Sequence, residues 1–149
     1  MYIIKMLLAS FFATLGFGVM FNIRGNKLIL AGITGSIGGV AYHMALTLGC
    51  SELSAMFIGS LALSLFSEIL ARICKTPVTT FIICALIPLV PGGGMYRMML
   101  QAIEGNVMQA LTIGLDTLTI AGVLALGILV VSTIMKAIFK SERKKVKHT

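Results

Sequence analysis

Long apolar stretches recur along this chain and constrain its fold more than any other feature. A stretch of about 20 apolar residues is what an α-helix needs to cross the hydrocarbon core of a bilayer. Of the 149 residues, 58% are hydrophobic and 11% are charged, which is more apolar surface than a soluble domain of this size can bury. Because the runs lack the alternation of a membrane β-barrel, we predict an all-α integral membrane protein in contact with the lipid bilayer.

The predicted architecture has five transmembrane helices, and the fourth is broken at a Pro/Gly-rich segment. Short polar or basic loops separate the apolar stretches. We predict a five-span membrane domain over residues 1–139 and a disordered basic tail over residues 140–149. The predicted spans cover residues 2–21, 28–48, 53–73, 78–103 and 107–135.

The distribution of positive charge predicts the orientation. If the loops alternate between the two sides of the membrane, ten of the 12 Lys and Arg residues fall on one side, and only Lys5 and Arg97 on the other. Cytoplasmic loops are enriched in Lys and Arg, so we predict the inner (plasma) membrane, with the N-terminus outside and the C-terminus in the cytoplasm. If the fourth segment were a re-entrant hairpin, the fifth span would place the basic tail outside the cell. We therefore predict that the fourth segment crosses the membrane. The net charge of +7 is then a basic membrane flank and does not indicate nucleic acid binding.

Three ionisable side chains fall within the predicted spans, where such groups are costly and usually functional. Asp116 is near the middle of the fifth span, Glu68 in the inner third of the third span, and His43 in the outer third of the second. All three are candidates for proton coupling. Glu68 could instead pair with Arg72 one helical turn away, and His43 could simply hydrogen-bond within the bundle. Asp116 has no such local partner.

Polar and small residues recur at helical spacing around each of these three groups. Ser, Thr and Gly are also ordinary helix-packing residues, and we interpret Gly35-x-x-x-Gly39 as a close contact between helices. The stripes consist of Gly32, Ser36, Gly39, His43 and Thr47; of Ser60, Ser64, Ser67 and Glu68; and of Thr112, Asp116 and Thr119.

The break in the fourth span is the most informative segment. Its prolines remove backbone donors and its glycines remove side-chain restraint, so the helix must break here. Broken helices at membrane depth are typical of transporter substrate sites, and a half-helix starting near Gly94 would point its N–H groups at a carboxylate. The alternative is a proline kink, with Arg97 as an interfacial anchor. The predicted substrate-binding residues are Pro88, Pro91, Gly92, Gly93, Gly94, Tyr96 and Arg97.

Other chemistries have no recognisable pattern in the sequence. The three cysteines, Cys50, Cys74 and Cys84, are odd in number and are not spaced as metal ligands. No Ser-His-Asp, metal-binding or phosphate-cradling arrangement appears, so we predict no enzyme activity, no cofactor and no metal. An alternative to transport is a structural assembly subunit of a membrane complex.

A further set of short motifs extends over nearly the whole chain: Pro77, Phe81, Ile87-Pro-Leu-Val-Pro-Gly with Tyr96, Phe21-Asn22, Ala31-Gly32-x-x-Gly35 with Tyr42, and Ala71-Arg72. Together they resemble the threonine/serine exporter family. The resemblance is to the C-terminal-half domain, which also occurs as a separate small subunit, as in the two-component succinate exporter. It implies proton-driven secondary export of a small carboxylate-bearing metabolite, either an amino acid or a dicarboxylate. It also implies a second five-span subunit as partner, as a pair or within a higher oligomer.

Overall fold

The computed structural model describes residues 2–146, with side chains from residue 3 to residue 139, and every regular element in that part of the chain is helical. This confirms the predicted all-α class. The α-helices are α1 (Tyr2–Met20), α2 (Asn26–Thr47), α3 (Glu52–Ile73), α4 (Thr79–Leu86), α5 (Gly92–Ile103) and α6 (Val107–Val146), and a 3-10 turn (Ile87–Leu89) lies between α4 and α5.

The helix lengths confirm the prediction of a broken fourth helix. Within the described residues, α1, α2, α3 and α6 are each long and apolar enough to cross a membrane. The helices α4 and α5 have 8 and 12 residues, and neither reaches the roughly 20 that a crossing needs. With the 3-10 turn they form a pair bent by 55°. The pair provides a fifth span if it crosses the membrane as one unit, and that crossing stays a prediction.

Local chemistry explains why the helices end in the predicted loops. Gly49 and Gly105 follow α2 and α5 with φ angles of 85° and 84°, a left-handed conformation that glycine adopts without strain. In both cases the next residue donates its N–H to a carbonyl oxygen five positions back, which is a Schellman motif. The hydroxyl of Ser51 then caps α3 by accepting the N–H of Ser54 at 3.3 Å.

The C-terminal end of α6 differs from the prediction. The sequence predicts a span ending near residue 135 and a disordered tail from residue 140, whereas α6 continues to Val146. Residues 136–146 include Lys, Glu, Arg and Ala and contain neither Gly nor Pro, so nothing in this segment terminates a helix. The first part of the predicted tail is therefore helical, and residues 147–149 lie outside the described part of the chain.

Small residues allow the first two helices to approach closely. Gly35 and Gly39 of α2 face α1, where an added Cβ atom would collide with Thr14 and Ser10. This confirms the interpretation of Gly35-x-x-x-Gly39 as a helix contact, which is a common packing mode in membranes.

The break separates a packed helix from an exposed one. The helix α4 packs against α1, α2 and α3, and its Phe81 and Cys84 side chains are fully buried. Beyond the break, α5 packs against α6 alone among the described helices, and none of its side chains is buried. The bend therefore takes the chain out of the packed core and leaves a gap beside the break.

Candidate functional site

A cleft of about 340 Å³ occupies the gap beside the break. Its walls are the first turns of α3, the start of α5 and the N-terminal half of α6. The cleft therefore brings together residues that the sequence assigns to a substrate site and one residue that it assigns to proton coupling. The lining residues with predicted roles are Pro91, Gly92, Gly93, Gly94, Arg97 and Asp116.

Pro91 and the residue before it shape the break. Val90 has an extended backbone, with φ −60° and ψ 131°, as is usual before a proline. Pro91 follows with φ −75° and ψ 56°, and the N–H of Gly92 donates to the carbonyl oxygen of Val90 at 2.7 Å. This inverse γ-turn reverses the chain within three residues. As a result α5 begins at Gly92, two residues earlier than the predicted Gly94.

The first turn of α5 offers fewer backbone donors than the sequence predicts. The N–H groups of Gly94 and Met95 both donate to the carbonyl oxygen of Pro91, at 3.1 and 3.2 Å. The N–H of Gly93 has no acceptor among the described residues. An added Cβ atom at Gly92 or Gly93 would meet nothing within 4 Å, so both glycines face open space. The turn thus presents one available N–H and an unobstructed backbone to the cleft.

Arg97 lies one turn further along α5 and is exposed. Its Nε–H donates to the carbonyl oxygen of Gly93 at 3.2 Å, which holds the side chain over the first turn. The terminal N–H groups of the guanidinium have no acceptor within the described part of the chain. They can therefore form the paired hydrogen bonds that a guanidinium makes with a carboxylate.

Asp116 brings a negative charge to the cleft from the opposite wall. It follows Val107, the first residue of the candidate span, by nine residues, or roughly 14 Å along the helix. It is exposed and forms no ion pair with any described residue. A carboxylate within a membrane-spanning segment requires a polar neighbour or a bound ligand.

Glu52 lines the same cleft, and the sequence interpretation missed it. It lies in the first turn of α3, directly after the Ser51 cap, where an acidic residue is expected simply because it complements the helix dipole. In the sequence, Glu52 belongs to a short polar stretch between two apolar runs, and nothing in that pattern indicates a binding site. The bend between α4 and α5 is what leaves it beside the open cleft.

The other predicted site residues lie elsewhere. Pro88 is in the 3-10 turn, and Tyr96 is 67% exposed on α5; neither lines the cleft. Glu68 is 2% exposed and accepts a hydrogen bond from Arg72 at 3.0 Å, so the predicted local pairing is confirmed. His43 is half-buried on α2 and does not line the cleft.

A comparison with known protein families identifies the family of this chain. The model of the family described as Threonine/Serine exporter, ThrE, matches residues 6–134. The chain belongs to the threonine/serine exporter family. The matched region includes the whole cleft, and a transport family favours the predicted non-enzymatic role. Neither a curated protein nor a solved structure matches this exporter.

Proposed function

We propose that this exporter subunit binds a small amino acid, of the threonine or serine class, in the cleft beside the break. The observation that carries the proposal is the meeting of Arg97 and Asp116 at a broken helix, in a chain of an exporter family. In this proposal the substrate carboxylate binds to the guanidinium of Arg97 and to the N–H of Gly93. Both donors are at the positive end of a helix, which favours an anion.

The charges of the cleft favour an amino acid over a dicarboxylate. The cleft is lined by two carboxylates, Glu52 and Asp116, and by one guanidinium, Arg97. An amino acid has one charge of each sign, so its ammonium group can pair with a carboxylate while its carboxylate pairs with Arg97. A dicarboxylate would add two negative charges to a site with a single cation, and repulsion is strong where water is scarce.

Asp116 is the proposed carrier of the coupled proton. Within a membrane-spanning segment its negative charge must be compensated, and either a proton or the substrate ammonium can do this. The two therefore compete for the same carboxylate, so that substrate binding releases a proton and substrate release allows a proton to bind. Glu68 is less suited to this exchange because Arg72 already compensates its charge.

We further propose that a second five-span subunit of the same family covers the cleft, as a pair or within a higher oligomer. Asp116 and Arg97 are both exposed, and α5 buries none of its side chains. Charged side chains at membrane depth do not face lipid without a large cost. A partner with a polar face would complete the substrate site, and a lone chain would have only half of one.

The proposed orientation in the inner membrane, with the N-terminus outside, can be tested by cysteine accessibility. In a Cys74→Ser, Cys84→Ser background, a membrane-impermeant maleimide should label Cys50 from outside. In a background that also carries Cys50→Ser, a cysteine introduced at Ser141 should react only after the membrane is opened. Labelling of position 141 from outside would overturn the five-span topology.

Transport in proteoliposomes tests the function directly. The chain is reconstituted with and without its partner, sought first in the neighbouring reading frame, and a pH gradient is imposed. We expect labelled threonine or serine to accumulate only when both subunits are present. Accumulation of succinate in preference to threonine would reverse the substrate assignment. Transport by the lone chain would show that identical copies suffice, and no transport by a correctly folded pair would favour the assembly role.

A further inference from the structure

The helix α3 also carries a buried polar cluster, at the end away from the cleft. Ser64 and Ser67 are 0% exposed and Glu68 is 2% exposed. Their spacing places all three on one side of the helix. They follow Glu52 by 12–16 residues, or roughly 18–24 Å, so the cluster is separate from the proposed substrate site.

The two serines differ from other buried hydroxyls of the molecule. Thr14, Thr34 and Ser60 each donate a hydrogen bond to a carbonyl oxygen three or four residues earlier in the same helix, at 2.7, 2.9 and 2.7 Å. The Oγ atoms of Ser64 and Ser67 have no hydrogen-bond partner in the described part of the chain. A buried hydroxyl without a partner is destabilising, so two of them on one helix face point to a hydrogen-bonding guest.

The electrostatics of the cluster favour an uncharged guest. Glu68 accepts a hydrogen bond from the guanidinium of Arg72 at 3.0 Å, so the negative charge is compensated. The Cζ atom of Arg72 also lies 3.6 Å from the ring centroid of Phe139 on α6, an attractive cation–π contact that fixes its position. A sodium ion would meet no net negative charge here. A water molecule can both donate and accept, and the two hydroxyls and the second carboxylate oxygen are three groups able to bind it, as many partners as a buried water usually has.

We propose that Ser64, Ser67 and Glu68 form a buried water site on α3. Its water solvates the Glu68–Arg72 ion pair, which together with Phe139 connects α3 to α6. The water therefore keeps the Glu68 carboxylate hydrogen-bonded when the contact between α3 and α6 opens. A role for such opening in the transport cycle rests on the proposed export function, whereas the water site itself does not.

Alanine substitutions test the site, because α3 provides a matched control. Ser64→Ala and Ser67→Ala remove the two unpartnered hydroxyls, and Ser60→Ala removes an equally buried hydroxyl that bonds to the carbonyl oxygen of Phe57. The thermal midpoint of the full chain in detergent is measured together with X-ray hydroxyl-radical labelling, in which bound water marks neighbouring side chains. We expect the two cluster variants to lower the midpoint more than Ser60→Ala and to lose labelling around residues 63–70.

Three outcomes of these measurements would overturn the proposal. A higher midpoint in Ser64→Ala and Ser67→Ala would show that the hydroxyls bind no water and only destabilise the folded chain. A change equal to that of Ser60→Ala, with labelling retained, would show that they bond within their own helix. A midpoint that depends on sodium rather than potassium at constant ionic strength would identify a cation and exclude a neutral guest.

A transport measurement separates this proposal from the proposed function. In the two-subunit proteoliposomes, Ser64→Ala/Ser67→Ala should lower the maximal rate of export and leave the half-saturating substrate concentration unchanged, because the cluster does not contact the cleft. A rise in that concentration would show that the cluster acts on the substrate site and would contradict the separation. If the wild-type pair exports nothing, the function fails, while stability and labelling still decide the water site.

Discussion

The two ends of α3 lie in regions of opposite character. Around its C-terminal half, the side chains pack closely, and Leu63, Ser67 and Phe81 are 0% exposed. Around its N-terminal end, α5 and α6 leave a cleft lined by charged residues. The comparison shows that the helices are held together in one region, whereas charged groups able to bind a ligand are kept accessible in the other.

Glycine has a different role in each region. In the packed region, Gly35 and Gly39 let α2 approach α1 until no room is left for a methyl group. At the break, Gly92 and Gly93 face open space. Gly94 lies at the border, since an added Cβ atom there would collide with Thr117 of α6. Substitutions of glycine can therefore distinguish an effect on helix packing from an effect on access to the cleft.

The largest effect is expected for Asp116→Asn. This variant keeps the size and most hydrogen bonds of the side chain but cannot exchange a proton, so proton-driven accumulation of substrate should be abolished. The assay is uptake by two-subunit proteoliposomes with an imposed pH gradient. The control is Thr119→Val on the same face of α6; its hydroxyl already donates to the carbonyl oxygen of Leu115 at 2.8 Å, and its removal should leave accumulation intact. Full proton coupling in Asp116→Asn would move the role to Glu68 or to the partner.

A smaller effect is expected for Arg97→Lys. Lysine keeps the charge but cannot form paired hydrogen bonds with a carboxylate, and the loss should be about 1.5–3 kcal/mol, or roughly a 10- to 150-fold weaker apparent affinity. Arg24→Lys in the loop before α2 is the control. The half-saturating substrate concentrations of both variants show whether Arg97 binds the substrate carboxylate. An unchanged value for Arg97→Lys would indicate that Arg97 is only an interfacial anchor.

In the packed region, Gly35→Ala should reduce stability without a specific effect on the substrate site. The added methyl group meets Thr14, and overpacking of this kind typically costs about 1–3 kcal/mol. Gly16→Ala in α1 is the matched control because nothing lies within 4 Å of its added Cβ atom. Unfolding of the purified chain measures the difference. Equal stability of the two variants would show that α1 and α2 can separate easily, against the comparison drawn above.

The smallest effect on stability is expected for Gly93→Ala. Because the position is helical and open, alanine should stabilise the protein by about 0.4–1 kcal/mol by restricting the unfolded chain, while its methyl group enters the cleft and reduces export. Gly94→Ala should instead lose stability through the collision with Thr117. Stability and export of both variants are compared. Export by Gly93→Ala at the wild-type rate would show that the open glycines are not part of a substrate site.

The sequence alone determined the class, the helices and the break, because these depend on local properties. Apolar run length predicts the spans, and the two prolines with three glycines predict the break between α4 and α5. The ion pair of Glu68 and Arg72 was also predictable, since a spacing of four residues on one helix brings side chains together whatever surrounds them. The helical continuation to Val146 was a missed local signal: residues 136–146 contain no helix breaker.

The tertiary structure decided which residues of different helices meet. Glu52 lines the cleft and Tyr96 does not, because their positions depend on the 55° bend and on the packing of α5 against α6. Likewise, no pattern distinguishes Ser60 from Ser64 and Ser67, since all three are serines on one face of α3. Their hydrogen bonding depends on side-chain rotamers and on neighbours distant in sequence, and a repeat along one helix does not encode those contacts.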